Sequence, residues 1–529
     1  MYEIEAWDGL AKIGTFQVGE KTITTPALFP VVDPKQQTTP IAEMKSRFGF
    51  DQVITSAYLM SKRIGHLTWD DYPLVKDYLE YDGMIMMDSG AYQVMLYGDI
   101  DLGVVDTLDL QSSVKPHIGV LMDHPIGYDI SYPAAKKRVE QTIANIKQSL
   151  DHLDDDISWT LPIQGGRYLD LLEEYLKEMS QPEILDHFSF YALGSVVPVM
   201  INQDYLTLVE MIAITRYYLP VNRPLHLFGA GHPAMFALAT FMGCDTFDSA
   251  AYVLMAKDDR YMTVEGTYQL ADLKDLPCYC QVCSTHTADS LLALPKNERT
   301  KQLADHNLFV SAGEIRNIRH HIREGMLWDL VLKRANSVPY LNLATQRAIE
   351  LMIDGRLRSK FFTGTPVSKN AIIRITHRLD LRKPALDMIR SSSIDVIQQQ
   401  NAEEVICLAF PGYKSIYNRL PDDQLDEYQS DQYLPLLLLP AVGLVPLSIS
   451  EMYPLGQMIN EMRLEDLPTE YLQDQLQLLI DQKKSVTIYY QDESMNQYLL
   501  DLISDTDNIT LVKVQSVLTE FNNHINQNP

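Results

Sequence analysis

Short runs of apolar residues alternate with helix-like stretches over the first half of the chain, up to about Ala250. Eight of these runs have the length and composition of buried strands. They are Pro26–Val31, Gln52–Ser56, Met84–Met87, Ile118–Met122, Trp159–Ile163, Ser189–Leu193, His226–Phe228 and Thr246–Phe247. Helical apolar spacing separates several of them, most clearly at Pro133–Leu153, Tyr168–Met179, Tyr205–Tyr218 and Ala234–Met242. This alternation predicts a parallel sheet.

Eight strand–helix units in roughly 250 residues are typical of a closed (β/α)8 TIM barrel. A doubly wound open sheet is the alternative, but no G-x-G-x-x-G follows the first predicted strand. The fold class that we predict is α/β, with four parts. They are a catalytic (β/α)8 barrel (1–270), a zinc-binding and basic helical subdomain that completes the catalytic domain (271–365), a small α/β domain (366–460) and an acidic appendage (461–529).

Polar residues and glycines follow five of the predicted strands directly. In a barrel these strand ends form one rim, where active sites are built. The rim residues are Asp88 in DSGAYQ, Asp123 in LMDHP, Gln164 in PIQGG, Gly194 and Ser195 in LGSVVP, and Asp248 in FDSAAY. One such Asp is most simply a helix N-cap. Two of them, each at the end of a strand, favour a paired acid and nucleophile.

Composition narrows the class of protein. The chain has 529 residues, of which 46% are hydrophobic, so a large core is expected. The N-terminus lacks the basic and apolar regions of a signal peptide. The most apolar run, Tyr433–Leu447, contains three prolines and is shorter than the roughly 20 residues that span a bilayer. Five cysteines, three of them clustered, do not suggest a disulfide framework. We expect a cytoplasmic protein with a metal site.

The net charge of −26 argues at first against a nucleic-acid partner. Its distribution changes that picture, because Glu314–Lys383 holds 14 Lys and Arg against six Asp and Glu, a local charge of +8. A helical prediction over Glu314–Arg334 places Arg316, Arg319 and Arg323 on adjoining turns. Such a segment can bind a polyanion. Ordinary solvated helix faces explain it about as well.

A cluster of possible metal ligands precedes the basic segment. Cys278, Cys280 and Cys283 in CYCQVC, with His306 further along, supply three thiolates and an imidazole. This is a closed tetrahedral zinc set, which indicates a structural rather than a catalytic Zn2+. Buried free cysteines are the alternative for the three thiols, and His286 competes as the fourth ligand.

The motifs together resemble the tRNA-guanine transglycosylases, and HLFGAGHP and FDSAAY are similar to the archaeal, archaeosine-forming branch. The resemblance is strong over roughly residues 5–360 and extends to SEMYPLGQ (Ser450–Gln457). It implies a (β/α)8 enzyme that exchanges guanine at position 15 of the tRNA D-loop for 7-cyano-7-deazaguanine (preQ0).

The resemblance also implies roles for individual residues. Asp248 matches the nucleophile that attacks the ribose C1′, and Asp88 matches the acid/base residue. The residues that match base-reading positions are Asp123, Gln164 and the Gly194 backbone, with Tyr92 and Phe228 against the two faces of the base. Cys278, Cys280, Cys283 and His306 match the zinc ligands. Two displacements through a covalent intermediate retain the anomeric configuration.

The C-terminal part departs from this family. Archaeosine-forming enzymes commonly end in an RNA-binding PUA domain, which the acidic residues 461–529 do not resemble. The partners that we expect are therefore tRNA, preQ0, a separate PUA-domain subunit, and further copies of the chain in an oligomer. Alternatively, the basic segment holds tRNA by itself.

Three rival functions follow from the same residues. The first is the same exchange on another substrate, of the queuosine type at an anticodon or with deazaguanine inserted into DNA. The second is a non-catalytic tRNA-binding subunit, although such a subunit has no need of Asp88 and Asp248. The third is a metal-dependent barrel hydrolase, which needs an open metal position that a Cys3His site does not have.

Overall fold

The chain forms two compact units, Met1–Leu351 and Met352–Pro529. The structure is a computed structural model. It describes residues 1–33, 37–64, 68, 71–91, 103–353, 356–357, 373–375, 383–409, 433–440, 442–447, 458–460, 464, 469–482, 484–491, 493–503, 508–517 and 519.

An antiparallel three-stranded sheet begins the first unit. Its strands are β1 (Tyr2–Asp8), β2 (Ala11–Val18) and β3 (Lys21–Thr25). Phe16 and Ile23 from this sheet are buried in the same apolar cluster as Phe29, Met86 and Phe190 of the barrel strands described next. The sheet therefore extends the core of the barrel, a role that the sequence pattern did not reveal.

Eight parallel strands form the predicted barrel. They are β4 (Ala27–Pro30), β5 (Gln52–Ser56), β6 (Met84–Asp88), β7 (Ile118–Val120), β8 (Ser158–Ile163), β9 (Phe190–Leu193), β10 (Leu225–Leu227) and β11 (Thr246–Ser249). Each strand from β5 to β10 pairs with the next strand in the sequence, and β11 pairs with β4. An isolated parallel bridge between Val31 and Ile54 brings β4 back to β5. This sequential order confirms the barrel, because a doubly wound sheet reverses its strand order.

Helices connect and cover the strands of the first unit. They are α1 (Glu43–Ser46), α2 (Ala57–Ile64), α3 (Val75–Leu79), α4 (Val104–Val114), α5 (Tyr132–Ser149), α6 (Leu169–Met179), α7 (Pro182–Leu185), α8 (Val196–Ile201), α9 (Tyr205–Tyr218), α10 (Pro233–Phe241), α11 (Ala251–Lys257), α12 (Ala288–Leu292), α13 (Lys296–Arg323), α14 (Leu327–Ala335) and α15 (Pro339–Ile353). Short 3-10 turns lie at Leu150–His152 and Leu270–Asp272. A hairpin of β12 (Arg260–Met262) and β13 (Thr267–Gln269) follows α11.

The continuous helix predicted over Glu314–Arg334 is wrong in one respect. The chain breaks between α13 and α14, where Gly325 has a φ of 63°. Only glycine adopts this left-handed conformation without a steric cost, so it ends helices readily. The apolar spacing on either side continues across the break, which is why the pattern did not show it.

A buried ion cluster joins β2 to the start of β11. Lys12 Nζ lies 3.0 Å and Arg216 Nη2 lies 2.7 Å from Asp245 Oδ2, and all three side chains are at most 1% exposed. The Tyr2 hydroxyl donates to the other carboxylate oxygen at 3.3 Å. Burial lowers the pKa of Lys12 to about 8. Two cations and one shared anion thus fasten the N-terminal sheet to the barrel.

The second unit contains a five-stranded sheet. Its strands are β15 (Glu404–Ala409), β16 (Tyr433–Leu439), β17 (Gly443–Pro446), β19 (Ser485–Tyr490) and β20 (Ile509–Lys513), in the order β17–β16–β15–β19–β20. A separate pair is formed by β14 (Ile373–Ile375) and β18 (Met458–Asn460). Its helices are α16 (Lys383–Gln399), α17 (Glu470–Asp481) and α18 (Glu493–Leu502). The four-part division stays a prediction, and its limit at 460/461 falls between strands of one sheet.

Among the helices of the described ranges, none is both long and apolar enough to cross a membrane.

Candidate functional site

Two carboxylates lie at the same end of the barrel. Asp88 is the last residue of β6, and Asp248 lies one residue before the end of β11. Because the strands are parallel, their C-terminal ends surround a single mouth, and only β4 and β5 stand between β11 and β6. The structure therefore brings together two residues that are 160 positions apart in the sequence.

Asp88 is positioned for proton transfer near neutral pH. Burial raises the pKa of its carboxyl group to about 7, and the nearby charges of Asp248 and Asp123 contribute to the rise. The Gly90 N–H donates to Oδ1 at 2.6 Å, which opposes the shift by stabilising the charged form. An acid/base group works best when its pKa is close to the working pH.

The Asp248 carboxylate is held by two donors on one oxygen. The Gly229 N–H donates to Oδ1 at 2.6 Å, and His226 Nε2 lies 3.1 Å from the same oxygen. Gly229 has a φ of 68°, and a Cβ built on it would lie 2.1 Å from Val197 Cγ2. The glycine turn after β10 is thus needed to aim this amide at the carboxylate.

A chain of polar side chains links the ends of β7, β8 and β9. Gln164 Nε2 donates to Asp123 Oδ2 at 2.5 Å, and the Ser195 hydroxyl donates to Gln164 Oε1. Ser195 Oγ in turn accepts from the Ile126 N–H at 2.7 Å. Burial raises the pKa of Asp123 to about 6. These groups offer both donors and acceptors to the polar edge of a ligand.

Gly194 leaves room for this chain. A Cβ at Gly194 would lie 2.2 Å from Gln164 Nε2, so any larger residue would displace the amide. Phe228 lies near the same mouth, directly after β10, where its ring contacts the His226 ring edge-on with 4.7 Å between centroids. Tyr92, the other predicted base-stacking residue, lies outside the described residues.

A second cluster of functional side chains joins residues 278–283 to helix α13. One ligand atom from each of Cys278, Cys280, Cys283 and His306 falls within 4.8 Å of all the others. His306 Nδ1 is 3.4 Å from Cys280 Sγ and 3.3 Å from Cys283 Sγ. The competing candidate, His286, instead contacts Ser290 Oγ at 3.3 Å.

The cluster has the dimensions of a tetrahedral metal site. Bonds of about 2.3 Å to sulfur and about 2.0 Å to nitrogen place neighbouring ligand atoms roughly 3.5 Å apart in a tetrahedron. His306 Nε2 lies 2.9 Å from the Met262 carbonyl, to which it donates, so Nδ1 is left for a metal. The Tyr261 ring stacks on the imidazole at 3.8 Å. These residues fit a metal ion with four protein ligands.

Comparison with known proteins assigns the chain to a family. A family model described as queuine tRNA-ribosyltransferase, TGT, matches residues 8–340, which is more than half of the chain. The chain belongs to the tRNA-guanine transglycosylase family. The family resemblance and the class of enzyme predicted from the motifs are thereby confirmed.

Curated members of the family from archaea are similar over most of the chain. The tRNA-guanine(15) transglycosylase of Methanococcus maripaludis is 34% identical over 475 residues, which cover 86% of this chain and 69% of the relative. The enzyme of the same name from Methanobrevibacter smithii is 32% identical over 513 residues, or 92% of this chain and 73% of the relative. That of Thermococcus kodakarensis is 37% identical over 390 residues, or 74% and 65%.

Two arginines of the predicted basic segment make hydrogen bonds to the barrel. Arg316 donates to the Phe48 carbonyl at 3.3 Å, and Arg319 donates to the carbonyls of Pro26 and Thr24. These carbonyls precede β4 and β5, at the end of the barrel opposite to the transglycosylase rim. Both arginines therefore fasten α13 to the barrel. Periodicity shows which helix face a residue occupies but not what that face contacts.

One residue of the rim was missed by reasoning from the sequence. His226 lies in the middle of β10 and bonds to Asp248, yet the sequence showed it only as the first residue of an apolar run. The available signal was its polarity within an otherwise apolar strand. A buried polar side chain needs a partner, and the next strand supplies two of them, Thr246 and Asp248.

Proposed function

We propose that the protein exchanges guanine at position 15 of tRNA for preQ0. The names of its archaeal relatives give tRNA guanine 15 as the site of transglycosylation in those proteins. The observation that carries the proposal is the pair of carboxylates, Asp88 and Asp248, at one barrel mouth beside the polar chain of Asp123 and Gln164. One carboxylate serves as nucleophile, the second moves the proton, and the polar chain selects the base.

In the proposed first step, Asp248 attacks C1′ of the ribose as the bond from C1′ to the base nitrogen breaks. The electron pair of that bond leaves with guanine, and Asp88 supplies the proton that neutralises it. In the second step the incoming base attacks C1′, the bond to Asp248 breaks, and Asp88 takes up the proton. A pKa of about 7 lets Asp88 serve in both directions.

We propose that Asp123, Gln164 and the Gly194 backbone read the edge of the base. Guanine and preQ0 present N–H donors beside a carbonyl acceptor, and a carboxylate with a neighbouring amide complements that edge. Phe228 and Tyr92 are proposed to stack on the base. Extrusion of a base from its stack costs a few kcal/mol, of which aromatic stacking recovers part.

We propose that the cluster of three cysteines and His306 holds a structural Zn2+. Four protein ligands leave no open position for water or substrate, so the ion would supply cross-linking rather than Lewis-acid chemistry. The cluster fastens the loop between β13 and α12 to helix α13, which carries His306.

Further partners follow from the same proposal. Residues 461–529 are acidic and do not resemble a PUA domain, so a separate PUA-domain subunit is proposed to contribute to tRNA binding. An oligomer of the chain would extend the RNA-binding surface further. A cytoplasmic location matches a tRNA substrate.

Nucleoside mapping tests the function directly. Unmodified archaeal-type tRNA is incubated with the protein and preQ0, digested, and mapped by mass spectrometry. We expect preQ0 at position 15 and none after incubation with Asp248→Asn. Modification at an anticodon, or incorporation into duplex DNA in a parallel reaction, would instead support the rival substrates. Binding of tRNA without any exchange, also when a PUA-bearing subunit is added, would support the binding-only subunit.

A further inference from the structure

We propose that His226 is a positioning residue that holds Asp248 Oδ1, so that Oδ2 is the oxygen that bonds to the ribose. This inference rests on the proposed function, in which Asp248 is the nucleophile. His226 Nε2 and the Gly229 N–H lie 3.1 Å and 2.6 Å from the same oxygen, Oδ1. Within the described ranges, Oδ2 has no hydrogen-bond partner. The carboxylate is therefore asymmetric before any substrate binds.

The histidine ring is itself fixed in place. Its Nδ1 lies 2.9 Å from Thr246 Oγ1, and its side chain is fully buried. An ionised carboxylate only accepts hydrogen bonds, so Nε2 carries the proton toward Asp248, and Nδ1 accepts from the threonine hydroxyl in the neutral ring. Thr246 and Asp248 are alternate residues of β11 and project to the same side of the strand. One strand thus supplies both partners of the ring.

Aromatic side chains prevent the imidazole from rotating away. The rings of Phe29 and Phe228 meet it nearly edge-on, with centroids at 5.9 Å and 4.7 Å, and Phe190 lies at 6.3 Å. A polar ring in such surroundings is costly unless its nitrogens are bonded. The local packing therefore favours the single orientation in which the ring bridges Thr246 and Asp248.

Two donors on Oδ1 affect both half-reactions. When the Oδ2–C1′ bond forms, Oδ1 becomes the carbonyl oxygen of the ester and keeps its two N–H partners. When the incoming base displaces Asp248, the electron pair of the Oδ2–C1′ bond returns to the carboxylate, and His226 and Gly229 stabilise the charge that reappears on Oδ1. This is the geometry by which fixed donors assist a leaving oxyanion. His226 does not transfer a proton in either step.

The experiment compares His226→Leu with His226→Gln in the full-length protein. Leu keeps apolar volume but removes the donor, whereas Gln carries an amide N–H at a similar distance from the backbone. We expect the Leu variant to lower kcat, and the rate at which added base resolves the isolated RNA–enzyme adduct, by about 10–100-fold, the effect of one charge-assisted hydrogen bond. The Gln variant should recover to within about fivefold of the wild type. The Kd for tRNA should not change.

A second variant and a control keep the test decisive. Thr246→Val removes the bond to the far ring nitrogen and should give a smaller loss in the same two rates, even if His226→Leu folds poorly. His232→Gln alters a histidine in the loop after β10, which caps α10 and does not bond to Asp248, and should leave both rates nearly unchanged.

Wild-type rates in His226→Leu, or equal losses in the Leu and Gln variants with weakened tRNA binding, would overturn the positioning role. Failure of the proposed function would look different, because the wild-type protein itself would then form no adduct with tRNA.

Discussion

At the scale of single residues, the two acids differ in what surrounds them. Asp248 receives two hydrogen bonds on one oxygen, whereas the carboxyl group of Asp88 is partly buried, and desolvation and the neighbouring acids add to the cost of its charge. Environments of this kind separate the roles of two like groups, because a donor-rich site stabilises an anion and a desolvated site favours the neutral acid. The geometry thus supports Asp248 as the nucleophile and Asp88 as the proton carrier.

Asp88→Asn should lower the rate of exchange and raise the stability of the folded protein. Exchange should fall by about 10²-fold or more, because a positioned acid/base contributes that much. The folded-state pKa of about 7 lies above the unfolded value, so the wild type loses stability as pH rises from the unfolded pKa to about 7. The Asn variant lacks this loss and should be more stable than the wild type by about 1–3 kcal/mol at pH 8, with a smaller difference at pH 5.

Chemical denaturation of both proteins at the two pH values measures this difference. An Asn variant that is less stable than the wild type at pH 8, or a difference that does not depend on pH, would contradict a buried carboxyl group with a raised pKa.

At the scale of secondary-structure elements, the strands were predictable, whereas the contacts of the basic helices were not. All eight barrel strands appear where apolar runs end in glycine, proline or polar residues, and Gln52–Ser56 and Tyr205–Tyr218 match their predicted limits. The break at Gly325 and the contacts of Arg319 were beyond the pattern. A helical period fixes one face of a helix, but tertiary structure alone decides whether a cation on it meets solvent or a carbonyl.

The loop between β13 and α12 should depend on metal for its attachment to α13. Cys280→Ala removes one of four ligands, and we expect loss of zinc together with loss of soluble, folded protein, because structural zinc supplies folding energy. Metal analysis and thermal unfolding measure the two effects. His286→Ala is the matched control, since this nearby histidine lies outside the cluster, and it should keep both metal and stability. A folded Cys280→Ala protein without zinc would be incompatible with a structural role.

At the scale of the whole catalytic unit, the residues proposed for binding and catalysis lie at one end of the barrel, and the contacts that fasten other elements to it lie at the opposite end. The N-terminal sheet, with Arg316 and Arg319 of α13, contacts the start of the strands, while the acids and the polar chain lie at their ends. This division is common in barrels, where the C-terminal face carries chemistry and the N-terminal face carries stability. The sequence motifs predicted the residues of the C-terminal face, whereas no pattern predicted the contacts at the N-terminal face.

The buried cluster of Lys12, Arg216 and Asp245 should contribute strongly to the free energy of unfolding. Asp245→Asn leaves Lys12 and Arg216 buried without a full counter-charge, so we expect a loss of about 3–5 kcal/mol in the free energy of unfolding. The control is Asp82→Asn, which removes a surface pair with Lys21 (2.6 Å) and should cost much less, because solvent screens an exposed pair. Urea denaturation measures both. Similar values for the two variants would mean that the buried cluster adds no more than a surface contact.

The short pairing between β4 and β5 makes this part of the barrel the place where we expect local unfolding. In the described part of the chain, β4 and β5 meet through a single bridge, Val31–Ile54, and the amide of Val32 donates to the Ile54 carbonyl at 2.9 Å. Neighbouring strands such as β8 and β9 pair over four residues. Short pairing opens more often, so deuterium should enter at Val32 well before it enters β9. The side of the mouth formed by β4 and β5, next to β11 and Asp248, would then deform readily when a flipped nucleotide of a polynucleotide enters.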